Sequence, residues 1–209
     1  MKTIVIASRK GGVGKTTICG HLAALAAAKG SKVCIIDTDP QWSLKEWWQA
    51  REKQDIEFLD VSVEQIGESL KTLLKAKFDY VFIDTPPSVA NTIESVIAHA
   101  DLVVIPTRPS PHDLRALGGT VDIVNELGKK MIFVINGAAN RARITTEAVV
   151  ALSQHGPVSP AVLFQRTDFA TSMLDGKTVN ETSGSSKSAV EVDELLKYVN
   201  THLNKRVKK

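Results

Sequence analysis

The run Ala7-Ser8-Arg9-Lys10-Gly11-Gly12-Val13-Gly14-Lys15-Thr16-Thr17 limits the folds open to this chain more than any other stretch. It follows an apolar run at residues 3–7 and leads into residues 21–28, His-Leu-Ala-Ala-Leu-Ala-Ala-Ala, whose composition favours a helix. The order is strand, loop, helix. Glycines at 11, 12 and 14 permit positive φ and leave the loop free of Cβ atoms, so successive N–H groups can point inward at an anion. A helix beginning near Lys15 adds its own unsatisfied N–H groups and the positive end of its dipole. In such a cradle Lys15 reaches the β- and γ-phosphates of a nucleoside triphosphate and the Thr16 hydroxyl sits on Mg²⁺.

The strict form of this motif, G-x-x-x-x-G-K-[ST], asks for glycine at position 9, where this chain has Arg9. What stands here is Lys-Gly-Gly-Val-Gly-Lys-Thr, with a second lysine, Lys10, five residues before Lys15. The variant resembles the deviant Walker A motif of the ParA/MinD family of P-loop ATPases. The resemblance implies that Gly11, Gly12, Val13, Gly14, Lys15, Thr16 and Thr17 hold ATP. It also implies that Lys10 and Lys15 both serve catalysis, Lys10 by crossing a dimer interface to the phosphates of the partner's nucleotide.

A chain of 209 residues suits a single domain, 1–209, with a basic tail at about 204–209. Hydrophobic content of 43% and charged content of 23% are those of a globular protein. No apolar run is long enough to span a bilayer, and Met1-Lys2 passes directly into the first strand, so a cytoplasmic protein without a signal peptide is expected. Nor is a helix-turn-helix domain of the kind larger ParA proteins carry expected before that strand. Cys19 and Cys34 read as small buried apolar residues, which argues against the cluster-carrying, nitrogenase-iron-protein-like branch of the superfamily.

Beyond the loop, apolar runs alternate with helical patterns. Strands are predicted at residues 32–37, 56–61, 80–84, 102–106, 131–136 and 158–164. Helices are predicted at 43–53, 63–76, 92–100, 114–127 and 145–154. The strand runs are continuously apolar, as burial on both faces requires. The expected fold is α/β: a doubly wound, mostly parallel sheet with helices on both faces.

Ligands bind such sheets at the carboxyl ends of the strands. The second strand closes in Asp37-Thr38-Asp39-Pro40-Gln41 and the run at 80–84 in Asp84-Thr85-Pro86-Pro87. An acid beside a triphosphate is costly unless a metal ion or a proton transfer uses it. Asp84 therefore reads as the Mg²⁺ carboxylate, acting through a water. Asp39 reads as the group that orients the attacking water, with Asp37 supporting the switch loop and the metal's water shell; spacing alone leaves the assignment between these two open. Both segments are similar to the switch motifs of ParA-type ATPases, and the resemblance implies that Asp39 is essential for hydrolysis. Asn136, closing the strand at 131–136, matches the position that reads the adenine edge in relatives; a plain turn asparagine is the alternative. Pro106-Thr107-Arg108-Pro109-Ser110-Pro111 predicts a rigid extended loop, which in relatives lies near the dimer face. Trp47 and Trp48 are about 100° apart on a helix, so one is expected to anchor it, while another of the Trp42, Trp47, Trp48 group lies at the surface.

The net charge of +3 says little, but its distribution is uneven. From Leu195 onward the chain carries Lys197, Lys205, Arg206, Lys208 and Lys209 and no acid. Arg141, Arg143, Arg166, Lys177 and Lys187 lie in the same half. A solvated end and a sequence-independent contact with DNA phosphates are both consistent with this. Family resemblance favours DNA, with Arg166, Lys187, Lys197 and the tail cations as the candidates. The stripe Val190, Val192, Leu195, Leu196, Val199 and Leu203 is expected to pack on the sheet; without a bulky apolar residue beyond Leu203, a MinD-like membrane helix is disfavoured.

Three readings follow. The leading one is a ParA-like ATPase that forms a homodimer when ATP-bound, binds nonspecific DNA of the nucleoid and positions DNA or another cargo. A ParB-like or other adaptor would stimulate its weak hydrolysis. The others are a membrane-cycling ATPase and a metabolic P-loop enzyme such as a dethiobiotin-synthetase-like ligase, against which Lys10 argues.

Overall fold

The computed structural model describes residues 1–87 and 90–204. Among them seven strands form one sheet: β1 (Lys2–Ile6), β2 (Val33–Asp37), β3 (Ile56–Phe58), β4 (Tyr80–Asp84), β5 (Leu102–Thr107), β6 (Met131–Ala138) and β7 (Leu163–Phe164). Their order is β3-β2-β4-β1-β5-β6-β7, and every adjacent pair is parallel. The chain winds one way from β1 to β3 and the other way from β5 to β7. Its reversal lies beside β1, and there the first loop emerges.

The continuous apolar runs are explained by two cores. Ile4 and Ile6 of β1 face one core while Val5 and Ala7 face the other, all of them fully buried. The first core is covered by α1 (Lys15–Ala28), α2 (Ser43–Gln49), α8 (Thr167–Leu174), α9 (Val179–Thr182) and α10 (Lys187–Asn204). The second is covered by α3 (Ile66–Lys75), α4 (Ala90–Ile97), α6 (Gly118–Glu126) and α7 (Arg143–Ser153). Residues 18–26 of α1 are buried around the whole helix, as expected of a helix with no polar face.

Several boundaries differ from the sequence expectation. The helix predicted at 114–127 is two pieces, α5 (Pro111–Arg115) and α6. Ser110 caps the first piece by accepting from the Asp113 N–H at 3.2 Å, Pro111 sits at its first position, and the Gly118-Gly119 pair weakens any continuation. The strand predicted at 158–164 is paired only at Leu163–Phe164, with one bridge at Val158, because Pro157 and Pro160 bring no N–H to the ladder. The helix predicted at 43–53 stops at Gln49, and that at 63–76 begins as a 3₁₀ turn, Val63–Gln65, under a Ser62–Gln65 capping box. Helices α8 and α9 had no counterpart in the sequence reading. Among the described residues, no helix is long and apolar enough to cross a membrane.

Candidate nucleotide site

The loop after β1 opens a cleft of about 720 Å³ at the carboxyl edge of the sheet, with Gly11, Gly12, Gly14, Lys15, Thr16 and Thr17 on its floor. Gly12 (φ 72°) and Gly14 (φ 90°) take the left-handed conformations that the sequence predicted for them. Gly14 is also the N-cap of α1, so that helix aims its free N–H groups into the cleft. A Cβ on Gly14 would collide with the Asn136 side chain, whose Nδ2 donates to the Val13 carbonyl at 2.7 Å. Asn136 thus clamps the loop from β6 while lining the cleft. Neither of the two roles read from sequence for it anticipated this clamp.

Lys15 is buried, 7% exposed, and its Nζ donates to the Lys10 carbonyl at 3.4 Å. Burial pushes its pKa below the ordinary lysine value, with Asp84 and Asp39 opposing. Lys10 is exposed, one residue before Gly11 of the cleft lining. The two lysines of the motif therefore stand in different environments, one inside the cleft and one free to face outward.

Thr16 Oγ1 donates to Asp84 Oδ2 at 2.5 Å. Asp84 is 1% exposed, and burial above all pushes its carboxyl up to about 7; the Thr16 hydrogen bond opposes the shift and Asp37 adds to it. A buried carboxylate this reluctant to ionise, joined to the hydroxyl at the head of α1, fits Mg²⁺ chemistry. Thr16 and Asp84 would hold the ion, which would supply positive charge beside the phosphates.

Asp37, equally buried, spends both oxygens on backbone amides: Oδ1 accepts from Asp39 N at 3.0 Å, Oδ2 from Leu44 N and Lys45 N at 3.0 and 3.2 Å. It ties the switch segment to the start of α2 and does not line the cleft. Burial raises its pKa, with the three amides opposing. Asp39 does line the cleft, half-buried, and its Oδ1 accepts from Gln41 N at 3.0 Å. Asp37 is thus bonded to the backbone of its loop and of α2, while Asp39 lines the cleft.

The far wall is formed by Arg108, Gly137, Phe164, Gln165, Arg166, Phe169, Ala170, Met173 and Leu174. Sequence reading assigned none of these a place in the nucleotide site. The available signal was positional, since Arg108 and Gln165 immediately follow β5 and β7. Arg166, a candidate DNA contact, instead lines this cleft and is held by Glu191 Oε1, at 3.0 Å from Nε and 2.6 Å from Nη2. Lys197 pairs with Asp193, which also holds Lys29. Lys187 is exposed at the start of α10. Lys205, Arg206, Lys208 and Lys209 lie outside the described residues. Trp47 is the buried anchor of α2 and Trp42 is surface-exposed. Cys19 and Cys34 are both buried.

Residues 4–179 match the family described as the CobQ/CobB/MinD/ParA nucleotide binding domain. The chain is 29% identical to the maintenance of carboxysome distribution protein A of Halothiobacillus neapolitanus, over 94% of this chain and 95% of that one. It is 28% identical to the protein ParA of Rhizobium radiobacter, over 91% and 92% respectively. Its fold superposes on the septum site-determining protein MinD complexed with Mg-ADP from Pyrococcus horikoshii. The TM-score is 0.81 at 19% identity, covering 97% of each chain.

Proposed function

The chain belongs to the CobQ/CobB/MinD/ParA nucleotide-binding family, and from that premise we propose that it is a ParA-type ATPase that dimerises on ATP, binds DNA without sequence preference and positions an intracellular cargo through an adaptor protein. The observation that carries this reading is the divergence of the two motif lysines: Lys15 is buried within the cleft while Lys10, one residue before Gly11 of its lining, is exposed. One lysine serves the bound nucleotide, and the other is placed to meet the nucleotide of a second copy. A metabolic enzyme working as a monomer has no use for the second.

In this reading the loop amides and Lys15 hold the triphosphate, Asn136 keeps the loop in shape, and Asp39 orients the attacking water. Thr16 and Asp84 hold Mg²⁺, which would neutralise charge developing on the phosphoryl oxygens. The two curated relatives, named for carboxysome distribution and as ParA, support a positioning or partition role. The membrane-cycling alternative loses support because Val192, Leu195, Leu196, Val199 and Leu203 are buried against the sheet.

The deciding experiment is light scattering and random-sequence duplex binding with ATP, ADP or no nucleotide, at two salt concentrations, for wild type and Lys10→Ala. Wild type should form an ATP-dependent dimer whose DNA affinity falls steeply with salt. Lys10→Ala should bind ATP and remain monomeric. An ATP-dependent dimer of that variant would refute the role given to Lys10, and DNA binding indifferent to nucleotide would refute the switch.

A further inference from the structure

Two helices face each other across the cleft. Ser43, Glu46, Trp47 and Ala50 of the α2 segment form one wall, and Phe169, Ala170, Met173 and Leu174 of α8 the other. They meet over Gly20 of α1, where an added Cβ would lie 3.3 Å from Met173 Cε and 3.4 Å from the Trp47 ring.

Beneath this contact α2 is fixed at both ends. Its first turn is tied to Asp37 through Leu44 N and Lys45 N, and Asp37 in turn holds Asp39 N. Just beyond its last turn stands Arg51, whose side chain is only 2% exposed. Arg51 Nη1 donates to the Gly176 carbonyl at 2.9 Å and to Glu181 Oε2 at 3.0 Å; Nη2 donates to Glu181 Oε1 at 3.0 Å and to Asp55 Oδ1 at 2.8 Å. The guanidinium lies 4.9 Å from the Trp47 ring centroid, and Trp47 Nε1 donates to the Lys177 carbonyl at 3.0 Å. Gly176, with φ 65°, lies so close that a Cβ would strike the backbone of Ala50 and Arg51. A fork-to-fork pair in this setting is directional, and it is set in a network, with Asp55 also on Arg51 and Lys53, at 3.2 Å, also on Glu181.

We propose that Arg51 is a positioning residue: through its bonds to the Gly176 carbonyl just after α8 and to Glu181 of α9, the stance that α8 takes on a bound base sets where α2 holds Asp39. The cleft's phosphate end and its far wall are thereby coupled through protein, and a triphosphate without a base engages only the loop. Arg51 reaches neither nucleotide nor water. Its effect is carried by α2 as a rigid strut between Gly176 and Asp37. The inference rests on the nucleotide reading of the cleft.

The test is hydrogen exchange of the loop amides and of the α2 amides with Mg-ATP or magnesium tripolyphosphate, in wild type, Glu181→Gln and Trp47→Phe. In wild type, ATP should slow exchange in both regions, in α2 by at least about fivefold, the lower end of ordinary coupling between sites. Tripolyphosphate should slow only the loop. In Glu181→Gln, ATP should still protect the loop while α2 protection falls to the tripolyphosphate level, and kcat should drop with KM little changed. Trp47→Phe replaces the indole by a smaller phenyl ring, losing the bond to the Lys177 carbonyl and part of the face under Arg51, so it loosens the same junction and gives the same reading, in reduced degree, even where Glu181→Gln fails to fold. Equal α2 protection by ATP in all three proteins, or α2 protection by tripolyphosphate as strong as by ATP in wild type, would overturn the coupling. Absence of loop protection by ATP in wild type would overturn the nucleotide reading itself, and the coupling with it.

Discussion

Asp84 is the residue whose chemistry is most exposed to test. Its carboxyl, held up to about 7 from an ordinary 3.8, binds a proton on folding between those two values. Nucleotide-free protein therefore loses stability as pH rises from about 4 to about 7 and carries the whole cost above that. Asp84→Asn removes the cost, at most a few kcal/mol, while Asn can still accept from Thr16. Its melting midpoint without nucleotide should exceed that of wild type by about 5 °C at pH 8 and match it near pH 4. Mg-ATP turnover should fall about 10- to 100-fold, as when a metal's outer support is lost; unchanged turnover would remove Asp84 from the metal site. That Lys15, Thr16 and Asp84 come together at one end of the sheet was readable in sequence because glycines around a lysine and an acid closing an apolar strand are local patterns. The Asn136 clamp on Val13 was not, since it spans residues brought together only when β5 is seated between β1 and β6.

Among the elements, α1 carries a buried histidine whose cost appears in acid. His21 is 1% exposed, its Nδ1 lies 2.8 Å from the Thr17 carbonyl, and its ring meets Phe169 of α8 edge-on at 5.2 Å. Burial lowers its pKa to about 4 against the weaker pull of the Thr17 carbonyl and Glu181. The unfolded chain takes up a proton near 6.5 that the folded chain refuses until about 4, so stability falls as pH drops through that window. The loss should reach about 2–3 kcal/mol at pH 4.5. Between pH 7 and 4.5 Asp84 contributes in the opposite sense in both proteins, so the check is the difference: denaturant titrations should show His21→Leu losing about 2–3 kcal/mol less than wild type on acidification, and equal pH dependence would mean the histidine is not buried neutral. Element by element, the strands and long helices followed from continuous apolar runs and helical periodicity. The failures share a cause: α8 and α9 are short, the α5–α6 break depends on a cap and a glycine pair outweighing a continuous apolar pattern, and the pairing of residues 158–164 depends on where prolines meet the edge of a sheet.

For the whole molecule, the proposed cycle predicts separate failures for binding and release. Asp39→Ala keeps the cradle and loses the water-facing carboxylate, so it should bind ATP, dimerise and slow turnover about 100-fold. Dissociation of its DNA complexes after ATP is diluted away, followed by fluorescence, should slow in parallel; wild-type release would return the water-orienting role to Asp37. The basic candidates illustrate what sequence alone leaves open. Lysines and arginines were counted correctly, yet Arg166, on the cleft wall, is paired with Glu191 and Lys197, at the surface, with Asp193, and composition cannot separate a paired cation from a free one. The alternating side chains of β1 bear on a different matter. Because Ile4 and Ile6 belong to one core and Val5 and Ala7 to the other, the strand that carries the phosphate loop is common ground for both halves of the interior. A lineage altering its affinity or its cargo has little freedom at this root, where any change is felt on two sides at once. Variation has room instead along the rim, in the segments after β5 and β7, where a side chain can be exchanged without renegotiating the foundation.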